Sequence, residues 1–158
     1  MTVQRLFAGQ LVDVQGSGYQ VRASDHLRAA GSEQPLDVAS DARLAELLRA
    51  AGLCCNAQLR PESGQLVGSP TEGALLALLA RARVRDPRET HVRLDELPFD
   101  HERKWMAVRC APRGLEPAAP RYYVKGAPEN ILALCSTMLN AAGQPVKLHA
   151  EKLAEVQQ

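Results

Sequence analysis

Three short stretches of the sequence hold side chains able to do chemistry: Gly68-Ser69-Pro70-Thr71-Glu72-Gly73-Ala74-Leu75, Leu97-Pro98-Phe99-Asp100-His101-Glu102-Arg103-Lys104-Trp105-Met106, and Val124-Lys125-Gly126-Ala127-Pro128-Glu129. Each has an ordinary reading and a ligand-binding one. Glu72 follows Ser69 at capping-box spacing, so its carboxylate can close a helix start without any ligand. Phe99 follows Pro98 at a strand end, where a ring either joins the core or offers a face for stacking. Lys125 ends the strand-forming run Tyr122-Tyr123-Val124. An ammonium there is either solvated or a point charge with three donors inside a pocket. Lys104 and Met106 alternate, which predicts one strand face for both.

The common phosphate and nucleophile signatures are absent. No GxxxxGK[ST] loop, post-strand GxGxxG, GxSxG elbow, HExxH helix or protein-kinase catalytic loop occurs. A nucleotide, if bound, is held in another mode. Cys54, Cys55, Cys110 and Cys135 form no CxxC pair, so their spacing suits buried, reduced structural cysteines better than a metal site.

The chain is 158 residues long with a formal net charge of +1. That balance gives no electrostatic case for a nucleic acid or an anionic membrane as partner. The longest apolar run, Ala74 to Ala80, is far below the ~20 residues needed to cross a bilayer. The first residues lack the apolar stretch of a signal peptide, so a soluble, cytosolic chain is expected.

The elements that must position these side chains follow from periodicity and punctuation. Val3 to Val21, broken by Gly9, Gly16 and Gly18, predicts two or three short strands. Ala23 to Ser40 has no period and reads as a surface connection with at most a short helix. Asp41 to Asn56 reads as a helix capped by Asp37 or Ser40, with Leu44, Leu47, Leu48, Ala51 and Cys55 on one face. Leu59 to Val67 is a turn or short hairpin. Ser69 to Val84 is the clearest helix, with Pro70 at its first position, Leu75, Leu76, Leu78 and Leu79 buried, and Arg81, Arg83 and Arg85 near its C-terminal end. Val92 to Phe99, Lys104 to Cys110 and Arg121 to Lys125 read as strands, and Pro128 opens a helix. A last helix is expected over His149 to Gln158. No strand–helix–strand unit repeats. The fold class expected is therefore α+β, an antiparallel β-sheet flanked by helices, in a single domain over 1–158.

In this order and spacing the three clusters, together with Leu53-Cys54-Cys55-Asn56-Ala57, resemble the nucleotide-binding domain of P-type cation-transporting ATPases of the calcium- and sodium-pump branch. The similarity covers nearly the whole chain. In such pumps the phosphorylated aspartate lies in an Asp-Lys-Thr-Gly-Thr motif shortly before a Met-Thr-Val segment. This chain opens on Met1-Thr2-Val3 and lacks that motif, which suggests a domain excised from a larger membrane ATPase. Ser32-Glu33-Gln34-Pro35-Leu36 resembles a Ser-Glu-His-Pro-Leu signature of heavy-metal pumps. Gln34 replaces the histidine on which that signature turns, and the match is read as chance.

The resemblance implies roles. The residue matching Phe99 stacks on adenine, a contact typically worth ~1–3 kcal/mol. That matching Lys125 lies deep in the ATP pocket, with Gly126 and Ala127 beside it, Gly126 leaving room for the ligand. Glu72 matches the adenine side, where a carboxylate accepts from the exocyclic amine, and Thr71 resembles a pocket position as well. Lys104 matches a lysine near the phosphates, and Met106 would line the apolar wall. His101 stands where calcium pumps often carry an arginine, and Ser69 where they often carry a glutamate, so weak phosphate-side binding is expected. The implied ligand is ATP as Mg-ATP, with no metal held by this domain alone and no catalytic nucleophile in it. The implied partners are the phosphorylation and actuator domains of a parent chain, whose nucleotide-binding domain is cytoplasmic. The isolated domain is not expected to turn over. An interaction module that kept the fold and lost the nucleotide is the main alternative; an autonomous small enzyme such as a hydrolase is a third reading, against which the absence of any paired nucleophile and base in a motif argues.

Overall fold

A computed structural model of the chain describes residues 1–114 and 119–149. Apolar alternation builds the first layer: β1 (Arg5–Phe7), β2 (Leu11–Val14) and β3 (Leu27–Ala29) form an antiparallel sheet in the order β1-β2-β3. Val12 and Val14 point inward, and Leu27 pairs opposite Val14. β3 lies in the segment read as a surface connection. Its three residues carry no β-branched side chain, and pairing with β2 plus burial of Leu27 make it a strand.

Helix α1 (Ala42–Leu53) follows a 3-10 turn at Val38–Ser40. That turn changes the capping expected for the helix. Asp37 caps the turn through Ala39 N, whereas Asp41 caps α1, its carboxylate accepting from Arg43 N at 2.9 Å. Leu44, Leu48 and Leu53 bury, while Leu47, expected on the same face, is exposed. The hairpin β4 (Gln58–Arg60) and β5 (Gln65–Val67) leads to α2 (Pro70–Arg81). Gly73 is needed where α2 meets the hairpin, because a Cβ there would lie 2.6 Å from Leu66 Cδ2. The expected Ser69–Glu72 capping box does not form, since Ser69 makes no side-chain cap bond. Arg81 does not serve the helix end at the surface. Its side chain is wholly buried, with Nε 3.2 Å from Asp25 and Nη2 donating to Gly18 O at 2.9 Å.

The second sheet is antiparallel, in the order β6 (His91–Asp100), β7 (Trp105–Pro112), β8 (Arg121–Gly126). Short α3 (Pro128–Leu134) and the hairpin β9 (Thr137–Leu139) and β10 (Pro145–Lys147) complete the described chain. The sequence carried no reading for that last hairpin, and the helix expected over His149 to Gln158 falls almost wholly outside the described residues.

Two apolar clusters fill the interior. One joins Val12, Val14 and Leu27 to Leu44, Leu48, Leu76, Leu78 and Leu79. The other sets Leu53 and Cys54 on Met106, Val108 and Cys110. Helix α1 contributes to both. The architecture is α+β, antiparallel sheets flanked by helices, and no described helix is long and apolar enough to cross a membrane.

Candidate functional site

Glu72 and Lys125 meet where the first turn of α2 approaches the end of β8. Lys125 Nζ lies 2.8 Å from Glu72 Oε1. Glu72 Oε2 accepts from two consecutive backbone amides, Asn56 N and Ala57 N, both at 2.8 Å. The carboxylate that could have closed a capping box instead ties α2 to the chain leaving α1 and to the second sheet. Its side chain is 13% exposed and that of Lys125 27%, so the pair is shielded but reachable. Burial pushes the Glu72 pKa up, yet the ammonium and the two amides outweigh it and hold the carboxyl below its ordinary range.

Strand register fixes what else shares this face. Directly opposed residues, and those two apart along a strand, point the same way. Lys125 pairs with Met106, Tyr123 with Val108, and Arg121 with Cys110. On the other side, Arg93 pairs with Cys110 and Glu96 with Val108. Arg93, Glu96, Met106, Val108, Cys110, Tyr123 and Lys125 therefore face α1. Two register shifts interrupt β6, one between Arg93 and Asp95 and one between Leu97 and Asp100. The second leaves Pro98 and Phe99 together opposite Met106. Bulges of this kind re-aim side chains, and Phe99 stands 51% exposed, its ring edge-on to His101 at 5.4 Å.

Phe99 and Lys125 thus sit at the same end of the sheet, two strands apart, a span of roughly 10 Å at the usual strand spacing. The turn between β6 and β7 closes that end. Asp100 accepts from Glu102 N at 3.0 Å and Arg103 N at 2.8 Å, which lowers its pKa. Arg103 lies over the Trp105 ring at 5.1 Å.

Several expected positions come out differently. Lys104 is not on the strand with Met106. It is the last residue of the turn, at φ 58°, exposed, its amide donating to Asp100 O. Met106 does not line an open wall, since it is 3% exposed and packs with Leu53 and Cys54. Gly126 is required by the protein itself. A Cβ there would lie 2.4 Å from Trp105 Cβ and 2.5 Å from Lys104 O. Ala127 caps α3 and donates its amide to Lys104 O at 2.9 Å, which locks the turn against the end of β8. Thr71 and His101 are exposed. Of the cysteines, Cys135 is exposed, while Cys54, Cys55 and Cys110 are buried. Burial pushes the Cys54 thiol up to about 12 and Cys55 to about 11, so neither supplies a thiolate. Among the described residues no cluster of three or more His, Cys, Asp or Glu could hold a metal.

Sequence reasoning passed over Arg93, Arg88 and Glu96. Arg93 donates to Leu53 O, Cys55 O and Asn56 Oδ1 and pairs with Glu96. Arg88 donates to Cys55 O and Ala57 O. Only the bulge puts Arg93 and Glu96 on one face, and a regular strand would have separated residues three apart.

This sheet end therefore carries an exposed ring beside a shielded lysine–glutamate pair. The profile of the P-type ATPase cytoplasmic domain N matches residues 43–158, and the chain belongs to that family. It is 34% identical over 150 residues to a Homo sapiens calcium-transporting ATPase type 2C member 2, covering 94% of this chain and 15% of that protein. The Mus musculus type 2C member 2 is 32% identical over 165 residues, covering 100% and 17%. A Yarrowia lipolytica calcium-transporting ATPase 1 is 38% identical over 92 residues, covering 58% and 10%. The chain therefore spans about one sixth of the length of the type 2C member 2 relatives.

Proposed function

We propose that this chain is the ATP-binding domain of a cation-transporting P-type ATPase, and that it holds the adenine end of ATP between Phe99 and Lys125. The observation that carries this reading is the register that brings an exposed ring and a shielded ammonium to one end of one sheet. The ring supplies stacking. Lys125 supplies charge along the nucleotide, and Glu72 Oε1 is an acceptor for the exocyclic amine, with Thr71 beside it on the first turn of α2. His101 and Lys104, on the exposed turn, lie where a phosphate tail would pass. Gly126, Ala127 and Met106 support this end from behind rather than touch the ligand.

In this reading the terminal phosphate projects from the domain, with magnesium carried by the nucleotide, towards a separate phosphorylation domain whose aspartate attacks it as the bond to the β-phosphate breaks and ADP leaves. The resulting aspartyl phosphate is a covalent intermediate. This domain's part is positioning, which can supply much of such a barrier reduction. Residues 1–158 act as one domain of a longer protein on the cytoplasmic side of a membrane, working with phosphorylation and actuator domains. Calcium is the cargo suggested by the relatives' names. Alone, the domain binds without turnover, with a Kd in the micromolar to millimolar range, about 4–8 kcal/mol.

Amide-shift NMR titration with ATP tests this. Shifts are expected at residues 68–75, 97–106 and 124–129, with weaker binding in Phe99→Ala and Lys125→Ala. Unchanged affinity in both variants removes the pocket and leaves an interaction module that has kept the fold.

A further inference from the structure

The backbone that carries Glu72's two amide donors is itself held from behind. Past Leu53 the chain leaves α1; Cys54 N and Cys55 N still donate to Ala50 O and Gly52 O, and side chains satisfy the polar groups that follow. Its amides at Asn56 and Ala57 donate to Glu72. Its carbonyls face two guanidinium groups. Arg93 Nη2 donates to Leu53 O at 2.6 Å and Cys55 O at 3.1 Å, and Arg88 Nη1 to Ala57 O at 2.7 Å. Arg93 also holds the Asn56 side chain, whose Nδ2 in turn donates to Glu96 Oε1 at 3.0 Å. Glu96 Oε2 closes the loop on Arg93 at 2.7 Å.

We propose that Arg93 is a positioning residue for the adenine end of the site, acting on Glu72 and Lys125 through Asn56 without touching the nucleotide; the proposal rests on the ATP reading above. The chain of contacts runs Glu96–Arg93–Asn56–Glu72–Lys125 and crosses the face from β6 to β8. Leu94 makes it possible. It is the extra residue at the first register shift, and its insertion turns Arg93 and Glu96 to the same side. A fully charged guanidinium with five donors in a fixed fork can serve two carbonyls, an amide and a carboxylate at once. With it removed, Asn56 and Ala57 can shift, Glu72 Oε2 loses its two fixed donors, and Oε1 no longer stands at a defined place.

The consequence is selective. Adenine offers an amine at its 6-position and guanine a carbonyl, so a carboxylate acceptor fixed opposite that position favours adenine, whereas one free to shift can reach guanine's own donors, N1–H and the 2-amine. Stacking on Phe99 and charge from Lys125 serve both bases. Loss of Arg93 should therefore erode the preference for ATP over GTP more than it erodes binding in general.

The test is titration of the wild-type chain, Arg93→Gln and Glu96→Gln with ATP and with GTP, each folded state being checked by near-ultraviolet circular dichroism. The expected result for Arg93→Gln is an ATP Kd raised about tenfold, the effect of one or two lost charge-assisted hydrogen bonds. The GTP Kd should change less than about twofold. Glu96→Gln should move the same ratio in the same direction by about threefold, and it decides the matter if Arg93→Gln does not fold. An unchanged ATP-to-GTP ratio overturns the proposal, whether both affinities hold or both fall together. Phe99→Ala and Lys125→Ala separate the two levels. If neither weakens ATP, the ATP reading fails and this inference with it. If both do while the ratio stays fixed in the Arg93 and Glu96 variants, only the positioning role fails.

Discussion

Replacing Lys125 with Met keeps the aliphatic stem and removes the charge, which isolates the ion pair. Exposed pairs are worth about 0.2–1 kcal/mol, and breaking a fully buried one costs about 3–5 kcal/mol. The Glu72–Lys125 pair lies between these limits, with side chains 13% and 27% exposed. Glu72 also keeps its two backbone donors and is not stranded. A loss of about 1.5 kcal/mol is expected, which for a domain of this size lowers Tm by about 3–6 °C. The pH dependence gives the sharper readout. The Glu72 pKa is held below its unfolded value. Its stabilising contribution is therefore complete above the ordinary glutamate range and lost as pH falls through the folded value. In Lys125→Met the burial that raises this pKa remains while the ammonium is gone. The folded pKa must rise towards or past the unfolded value, so the stability that Glu72 loses on acidification must shrink in Lys125→Met. Carboxyl-carbon NMR titration of Glu72 with thermal melts from neutral pH to pH 3 measures both. An unchanged Glu72 pKa together with an unchanged Tm would refute the coupling.

Other outcomes follow from the same coordinates. Asp25→Ala should cost about 3–5 kcal/mol in urea unfolding, because it leaves the buried Arg81 charge uncompensated; the double change Asp25→Leu, Arg81→Met should recover most of that loss. Gly126→Ala should destabilise by about 1–3 kcal/mol and broaden amide signals of residues 103–106, since its methyl meets Lys104 O and Trp105. Thiol labelling of the native chain should modify Cys135 first, and Cys54, Cys55 and Cys110 should react at the unfolding rate; prompt labelling of all four would contradict their burial.

Helices α1 and α2, the hairpin after α1 and the three long strands were legible because each combines a strong period with clear punctuation. Strand β3 and the β9–β10 hairpin were not, because three-residue strands owe their state to partners distant in sequence. The site divides along the same line. Phe99, Lys125 and Glu72 were visible as residue types in motifs. The partner of Glu72 was not, since Ser69 at capping-box spacing gave a local solution that the fold declines in favour of Asn56, Ala57 and Lys125. Lys104 and Met106 part because Lys104 is itself a turn residue at positive φ, which alternation does not foresee. Arg93 was invisible because one inserted residue reverses strand parity, and nothing in Val92-Arg93-Leu94-Asp95-Glu96 announces it.

Intermolecular NOE spectroscopy on the ATP-saturated chain tests the slot between β6 and β8 most directly. Cross-peaks from adenine H2 or H8 to the Phe99 ring, together with contacts to the Lys125 methylenes, are the predicted result. Adenine cross-peaks confined to other residues, with the Phe99 ring and Lys125 side-chain signals unmoved at saturation, would contradict it.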